Sequence, residues 1–240
     1  MKLSASSLNL FLRCPYAYYL KEIEKAEPVM NEGAFLGKLI HKTLENYFNY
    51  KKQNQNEDKL DIADFLEDSF KQLIKQENIK FTFKKSDYKD IAVDMLQNYN
   101  QIAKTITPLE TEKYFEIYID DVYITGYIDL LTQDRKLIDF KTSQSKNVKI
   151  NSEYVMQISL YSMTGLANNY YLHFITPYNA VEKEVKPLKS LLFNEIINQF
   201  KNSYLSGAFV PSGLTHPYAC NYCTYKQACK FYSDFDKTSL

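Results

Sequence analysis

Residues 126–141 read GYIDLLTQDRKLIDFK, which is two short apolar runs separated by a polar turn. Side chains of opposite character alternate in both runs, and this pattern predicts a β-hairpin that folds about Asp134. Counting outward from the turn, Leu130 faces Ile138 on one side of the strand pair. The hairpin therefore has an apolar face, which we expect to be buried in a core.

The other face of the hairpin carries charged side chains. Asp129 faces Asp139 across the two strands, and Lys141 shares a face with Asp139 because side chains alternate along a strand. Two carboxylates with Cβ atoms roughly 5 Å apart destabilise a sheet unless something neutralises them. A bound divalent cation is the simplest neutraliser. Two solvated surface acids are the alternative interpretation.

Length and composition indicate a globular protein, and the charge balance gives no support for nucleic-acid binding. The 240 residues are 45% hydrophobic and 24% charged, which is enough for one domain with a single buried core. The formal net charge is zero, so nucleic-acid binding has to depend on local sites. No apolar run approaches the roughly 18 residues that span a bilayer, and the N-terminus lacks a signal-peptide cleavage site. We expect a cytoplasmic protein with no membrane partner.

Apolar periodicity predicts helices in the first part of the chain and strands after it. The helical spacing of the first hundred residues gives way to alternation just before the hairpin. This order predicts an α/β core in one domain, residues 1–240, with residues 53–107 as a helical insertion. We expect helices near residues 8–12, 34–52, 62–73, 88–102, 153–165 and 188–205, and strands at residues 114–119, 169–176 and 181–186 besides the hairpin.

Four cysteines form a second group of chemically reactive residues. Three of them follow a C-x-x-C-x5-C pattern near the C-terminus, and the fourth lies far upstream. Four thiolates suit a tetrahedral zinc ion or a 4Fe–4S cluster, whereas free buried thiols are the alternative. A metal centre would join the two ends of the chain, residue 14 and residues 213–232. The residues concerned are Cys14, Cys220, Cys223 and Cys229.

A histidine in the second predicted helix is a further candidate ligand. Gly37 lies one turn before His41 on the same face, and a glycine inside a helix costs about 1 kcal/mol relative to alanine. The glycine could leave room for a metal, a substrate or a strand beside the imidazole, or it could reflect close packing. A partly buried histidine with satisfied hydrogen bonds is the alternative to a metal ligand.

Two pairs of polar side chains flank the hairpin. Gln157 and Tyr161 are four residues apart on the helix that follows it, so they project together and can bond a phosphate or a water molecule. The polar edge of an amphipathic helix is the alternative. Glu112 and Glu116 share a face of the preceding strand, and one of them could join the acids.

Taken together and in order, these motifs resemble those of RecB-type nucleases of the PD-(D/E)XK superfamily. The resemblance is to the iron–sulfur branch, which includes the AddB nuclease domain and CRISPR-associated exonucleases. It runs over nearly the whole chain. The matching segments are residues 4–15, 37–41, 126–129, 139–142 and 157–161, together with the four cysteines.

The resemblance implies a restriction-endonuclease-like core, in which helices flank a mixed central sheet and a cysteine-ligated cluster joins the termini. It implies a deoxyribonuclease that depends on Mg²⁺ or Mn²⁺, an exonuclease on single-stranded DNA ends. In such a site His41, Asp129, Asp139 and the backbone carbonyl of Phe140 bind the metal. Glu112 is preferred to Glu116 as an additional ligand, because it lies in a stretch similar to the family's first strand.

The same resemblance assigns roles to the remaining candidates. Lys141 orients the attacking water or stabilises developing charge, and Gln157 and Tyr161 position the DNA or the nucleophile. A 4Fe–4S cluster binds to the four cysteines, with zinc as the competing interpretation. The implied role is in CRISPR adaptation or recombination and repair, with a possible protein partner in an adaptation or helicase complex. A non-catalytic or weakly catalytic DNA-binding adaptor in a larger nuclease or integrase complex is the alternative function.

Overall fold

The computed structural model describes residues 1–29, 32–54, 60–76, 85–189, 191–214, 220–221 and 223–232. The chain divides into two compact units, each assembled from separate stretches. Unit 1 contains Met1–Asn31, Glu116–Gly126 and Leu188–Leu240, and unit 2 contains Glu32–Phe115 and Tyr127–Pro187. Parts of the predicted insertion and of the predicted cysteine region (residues 55–59, 77–84, 215–219 and 222) lie outside the described residues.

The predicted helices and strands are present in the described residues. The third predicted helix begins as a 3-10 turn at Ile62–Phe65, and a short first strand was not predicted. The helices are α1 (Ala5–Arg13), α2 (Pro15–Glu22), α3 (Glu32–Gln53), α4 (Leu66–Gln76), α5 (Lys85–Thr105), α6 (Ser152–Ser162) and α7 (Leu191–Ser206). The strands are β1 (Lys2–Ser4), β2 (Pro108–Ile119), β3 (Val122–Thr132), β4 (Lys136–Thr142), β5 (Asn169–Ile175) and β6 (Ala180–Glu184).

The sheet of unit 2 is mixed, as expected for the predicted fold class. The second part of β3 pairs antiparallel with β4, and β4 pairs parallel with β5, where Asp139 lies opposite Leu172. Strand β6 then pairs antiparallel with β5 at the edge. A parallel pair needs a long crossover, and α6 supplies it between β4 and β5.

Helices cover both faces of this sheet. On one face, α3 packs on β4, and the rings of Phe48 and Phe140 stack with centroids 6.0 Å apart. On the other face, Tyr154 of α6 contacts Phe174 of β5 at 5.9 Å. Helix α3 can be buried because its apolar side chains recur every four residues and form one continuous stripe. The α/β class with a mixed, helix-flanked sheet is therefore confirmed.

Unit 1 is built from short helices at the start of the chain and a long helix near its end. The Ser4 hydroxyl caps α1 by accepting a hydrogen bond from the Ser7 amide, and Pro15 opens α2 at a position where a missing amide costs nothing. Strand β1 runs parallel to the first part of β3, with Leu3 opposite Ile124. In the part of the chain that the structure describes, no helix has the length and apolar character needed to cross a membrane.

Candidate active site

The β3–β4 hairpin brings the two predicted acids together in unit 2. Its pairing places Leu130 opposite Ile138, which is the register counted from the sequence, and both side chains are buried. Asp129 lies beside β4, where its Oδ2 accepts a 2.7 Å hydrogen bond from the backbone amide of Phe140. Asp139 is only 1% exposed, so its carboxylate lies inside unit 2 and is not a solvated surface acid.

Lys141 lies against the buried acid. Its Nζ is 2.6 Å from Asp139 Oδ2 and donates a 2.8 Å hydrogen bond to Gln157 Oε1. Burial acts to lower the pKa of Lys141, but the charges of Asp139 and Asp129 outweigh it and raise that pKa above its usual value. The ammonium group is therefore held in its charged form inside the unit.

His41 reaches the same acids from α3. Its Nδ1 is 3.6 Å from Asp129 Oδ2, and its ring meets the Phe140 ring edge-on at 6.1 Å. Burial favours a lower pKa for His41, yet the charge of Asp129, with help from Asp139, raises the pKa above its usual value. The imidazole and both carboxylates therefore belong to one electrostatic cluster.

The glycine on α3 makes room for a strand. A Cβ atom at Gly37 would lie 3.1 Å from Thr142 Oγ1, which is tighter than ordinary van der Waals contact. Of the reasons that the sequence offered for this glycine, the approach of a strand is the one that the structure shows. The close approach lets the end of β4 lie against α3, one turn of the helix before His41.

Glu112 adds a third acid from β2, and its backbone is unusual. Its φ angle is +46°, in the left-handed region that residues other than glycine rarely adopt. Burial, assisted by the charges of Asp129 and Glu45, raises the pKa of Glu112 to about 7. The other upstream candidate, Glu116, belongs to unit 1, where its carboxylate is 3.9 Å from the ammonium of Lys2.

Gln157 and Tyr161 form a hydrogen-bonded chain with the hairpin. Gln157 Oε1 accepts from Lys141, and Gln157 Nε2 donates to the Tyr161 hydroxyl at 2.6 Å. That hydroxyl donates in turn to the backbone carbonyl of Tyr127 on β3 at 3.1 Å. The two residues predicted to project together therefore connect the Lys141 ammonium to the backbone of the opposite strand.

The two hairpin acids are compensated for their burial to different degrees. Burial and the nearby charge of Asp129 raise the pKa of Asp139 to about 6, against the opposing effect of Lys141. Burial would also raise the pKa of Asp129, but His41 and Lys141 lower it below its usual value. Asp139 Oδ2 is buried, and among the described residues its polar contact is the ion pair with the Lys141 ammonium at 2.6 Å. Such an oxygen is suited to a cation.

The donor set fits a hard divalent cation in its chemistry. Carboxylate oxygens, a backbone carbonyl and one imidazole are ligands that Mg²⁺ or Mn²⁺ accepts while keeping several waters. Among the described residues, however, no group of three or more His, Cys, Asp or Glu side chains is arranged to hold a metal ion. Binding a cation here would therefore require the ion-paired side chains to shift.

The four cysteines lie together in unit 1. All are free thiols, and they line one small cavity of about 20 Å³. Burial, reinforced by the neighbouring sulfurs, raises the pKa of Cys220, Cys223 and Cys229. The backbone amide of Ser212 donates to Cys14 Sγ at 3.5 Å. The thiols have the chemistry of a thiolate metal centre, although no three of them are arranged to hold an ion among the described residues.

Two tyrosines beside the acids were not singled out from the sequence. Tyr127 lies two residues before Asp129, on the same face of β3, and its ring centroid is 5.5 Å from that of Tyr114 on β2. Both side chains are about half exposed. Counting outward from the turn gave the register of the β3–β4 hairpin. The same count applied to the β2–β3 turn at residues 120–121 places position 114 opposite position 127 and so predicts this pair.

Comparison with known proteins identifies one family and two solved structures of low sequence identity. The family model described as the PD-(D/E)XK nuclease superfamily matches residues 2–230. No curated protein matches the chain significantly. Among solved structures, SSO0001 is 17% identical, with 95% of this chain and 85% of that chain covered and a TM-score of 0.48. The "Putative exonuclease" from Eubacterium rectale is 12% identical, with 88% and 83% covered and a TM-score of 0.55. At this identity, the second similarity demonstrates a shared fold.

Proposed function

Because this chain belongs to the PD-(D/E)XK nuclease superfamily, we propose that it is a metal-dependent deoxyribonuclease that hydrolyses phosphodiester bonds at single-stranded DNA ends. The observation that carries the proposal is the meeting of Asp129, Asp139 and Lys141 in unit 2, with His41 beside them. Nucleases of this superfamily typically use Mg²⁺ or Mn²⁺. The chain's own donor set, dominated by oxygen, agrees with that choice.

The proposed ligands come from three elements of unit 2. His41 lies on α3, Asp129 on β3, and Asp139 and the carbonyl of Phe140 on β4. Glu112 is proposed as an additional ligand, since its carboxyl group interacts electrostatically with Asp129 and His41. A bound cation supplies Lewis-acid polarisation of the phosphate and a nucleophilic water at neutral pH. The acids would gain a further positive charge besides that of Lys141.

Lys141 supplies a fixed positive charge next to the ligands. Its raised pKa keeps the ammonium protonated, so it can donate to a phosphate oxygen or hold the attacking water. Gln157 and Tyr161 act as positioning residues, because their hydrogen bonds fix Lys141 relative to β3. A lysine held in this way loses little side-chain entropy when charge develops on the phosphate.

The thiols of unit 1 are proposed as a separate, structural metal centre. The resemblance favours a 4Fe–4S cluster, whereas a single tetrahedral zinc ion is the competing occupant for four thiolates. Anaerobic purification distinguishes the two. Broad absorbance near roughly 400 nm with bound iron and sulfide indicates a cluster, and a colourless protein with one zinc per chain overturns it.

The finer role belongs to the same proposal. We propose action on DNA ends in CRISPR adaptation or in recombination and repair, with a protein partner in an adaptation or helicase complex. Support for this comes from the motif resemblance alone, since the family match over residues 2–230 extends only to the nuclease superfamily. Digestion of 5′- and 3′-labelled single strands, and of circular single strands, tests the requirement for an end. Equal cleavage of circles would contradict an exonuclease.

The catalytic assignment is tested with two lysines of the same strand. Lys141→Ala should lower the rate of single-strand cleavage by about 10²–10³-fold in Mg²⁺ or Mn²⁺, because a fixed charge near the reacting phosphate is lost. Lys136→Ala is the matched control, since Lys136 is ion-paired with Asp134 near the turn and is half-exposed. Circular dichroism should show that both variants remain folded.

Two results would contradict the proposal. Cleavage by Lys141→Ala at the rate of the parent protein would remove the lysine from the mechanism. A parent protein that binds single-stranded DNA but cleaves none of it in either metal would favour the adaptor function. In each case a chelator control must abolish any cleavage that is observed, since contaminating metal-independent nucleases would otherwise confuse the comparison.

A further inference from the structure

The aromatic pair beside the acids has an accessibility that core packing does not explain. Tyr114 is 45% exposed and Tyr127 is 57% exposed, although β3 is otherwise mostly buried near this point. Their rings meet at an interplanar angle of 64° across the β2–β3 pair. Other tyrosines of the described residues are exposed as well, so this pair is singled out by the position of Tyr127 on the strand that carries Asp129.

The pair is fixed close to the proposed metal ligands. Tyr127 and Asp129 are two residues apart on one strand face, so their Cα atoms are roughly 7 Å apart. The backbone of Tyr127 is held in place because its carbonyl accepts the hydrogen bond from the Tyr161 hydroxyl, and Tyr161 packs edge-on against Phe115 at 5.3 Å. The chain of bonds that orients Lys141 thus also fixes the strand that carries this ring.

We propose that Tyr114 and Tyr127 form a stacking platform for a base of single-stranded DNA near the phosphate that is cleaved. This inference depends on the proposed nuclease function and refines its substrate. Bases of a single strand expose their faces and stack on aromatic side chains, whereas bases of a duplex are already stacked on their neighbours. A platform beside the catalytic acids therefore gives preference to single strands without reading their sequence, and it requires no excess of positive charge.

The first experiment measures binding by the full chain. Fluorescein-labelled oligothymidylate is titrated in Ca²⁺ in place of Mg²⁺, and binding is followed by anisotropy. The variant Tyr114→Ala/Tyr127→Ala should bind at least about tenfold more weakly, in line with the loss of one stacked base. Tyr114→Phe/Tyr127→Phe should restore most of the affinity, because phenylalanine keeps the ring.

The chain offers a matched control pair in unit 1. Tyr118 and Tyr123 are also exposed, and their ring centroids are 4.8 Å apart on the same two strands. Tyr118→Ala/Tyr123→Ala should weaken binding by less than about threefold if stacking is specific to the pair near the acids. An equal loss in both double variants would overturn the assignment, since any exposed aromatic pair would then have the same effect.

A second measurement separates base stacking from a structural role. A single abasic position is moved along the oligonucleotide, and the affinity of each substrate is compared between the parent and Tyr114→Ala/Tyr127→Ala. At one position the missing base should weaken binding by the parent about tenfold and leave the variant unchanged. A cross-strand aromatic pair that only stabilises the strands would show no such coupling. Absence of coupling at every position would overturn the platform.

The test also separates this inference from the nuclease proposal. A parent protein that shows the coupling but cleaves no DNA would support the platform and contradict the nuclease. A parent that cleaves single strands, with no coupling between the tyrosines and any base, would contradict the platform and leave the nuclease proposal standing.

Discussion

The two candidate metal sites of this chain are built in opposite ways. In unit 2, the hairpin acids already have cationic neighbours, because Lys141 lies 2.6 Å from Asp139 and His41 lies 3.6 Å from Asp129. In unit 1, the thiols neighbour one another, backbone amides and the charge of Arg13, which acts to lower the pKa of Cys223. Burial nevertheless keeps the pKa of Cys220, Cys223 and Cys229 raised. The acids of unit 2 lie in direct contact with cationic side chains, whereas burial outweighs the nearby positive charge at the thiols of unit 1.

This difference follows from the distances along the sequence. The hairpin residues are joined by a single tight turn, so local strand pairing brings them together without help from a ligand. The cysteines come from opposite ends of the chain, so their meeting closes a very long loop. We expect the loss of one hairpin group to affect mainly activity, and the loss of one cysteine to affect mainly stability.

The largest predicted change in stability is at the cysteines. Cys14→Ser should prevent a four-thiolate centre and lower the free energy of unfolding by about 3–5 kcal/mol, the range for opening a long cross-linked loop. Urea titration of the metal-loaded parent and the variant measures this difference. Asp129→Asn serves as the comparison from unit 2: it keeps an acceptor for the Phe140 amide but loses the charge that pairs with His41, so we expect a smaller loss of about 1–2 kcal/mol. Equal losses of unfolding free energy in Cys14→Ser and Asp129→Asn would contradict the view that the cysteines matter mainly for stability.

The next effect concerns acid sensitivity inside unit 2. Burial lowers the pKa of His173 to about 3, and its Nδ1 is 2.6 Å from the Tyr99 hydroxyl. The unfolded chain binds a proton at this histidine below about pH 6.5, whereas the folded chain does so only near pH 3. The buried neutral imidazole therefore makes its full contribution to the free energy of unfolding above about pH 6.5. This contribution is lost as the pH falls towards 3, and about 2 kcal/mol of it is gone at pH 5.

His173→Gln should remove this contribution while keeping a hydrogen-bond partner for Tyr99. Unfolding free energies at pH 7 and pH 5 are compared for the parent and the variant, both without added metal. The parent should lose about 2 kcal/mol more than the variant between these values. Parallel losses would show that the acid sensitivity of the protein arises elsewhere, for instance at the thiols.

The smallest predicted effect is at the glycine of α3. Gly37→Ala gains about 1 kcal/mol in helix propensity, but its new Cβ would be crowded by Thr142 Oγ1 at 3.1 Å. We expect a net loss of about 0.5–1 kcal/mol in the parent and a gain of similar size in a Thr142→Ala background. Thermal unfolding of the parent, the two single variants and the double variant gives the coupling free energy between positions 37 and 142. Additive changes in stability would show that Thr142 does not crowd a side chain at position 37.

Local patterns in the sequence predicted the hairpin and its register because both depend on residues only a few positions apart. The period of two in β3 and β4 fixes which side chains share a face, and Leu130 lies opposite Ile138 as counted. The helical stripe of α3 was predicted for the same reason. The resemblance then selected His41 and Glu112 from among several equally plausible polar residues.

Features that depend on distant residues were not predictable in this way. Strand β1 is three residues long and is defined by its parallel pairing with β3, more than a hundred positions later. The partner of Gly37 lies on another element, and the burial of Asp139 results from helices on both sides of the sheet. The division into two units, each made of separate stretches, also leaves no mark in composition.

The left-handed backbone at Glu112 sets up a conflict between stability and function at one position. Holding a non-glycine residue in that region costs roughly 1–2 kcal/mol, so replacement by glycine should relieve the cost. The same replacement deletes the carboxylate next to Asp129. Stability alone would therefore favour glycine at position 112, whereas a requirement for a carboxylate would favour glutamate. Glu112→Gly is therefore expected to raise the stability of the fold and, if the carboxylate binds the proposed cation, to lower activity.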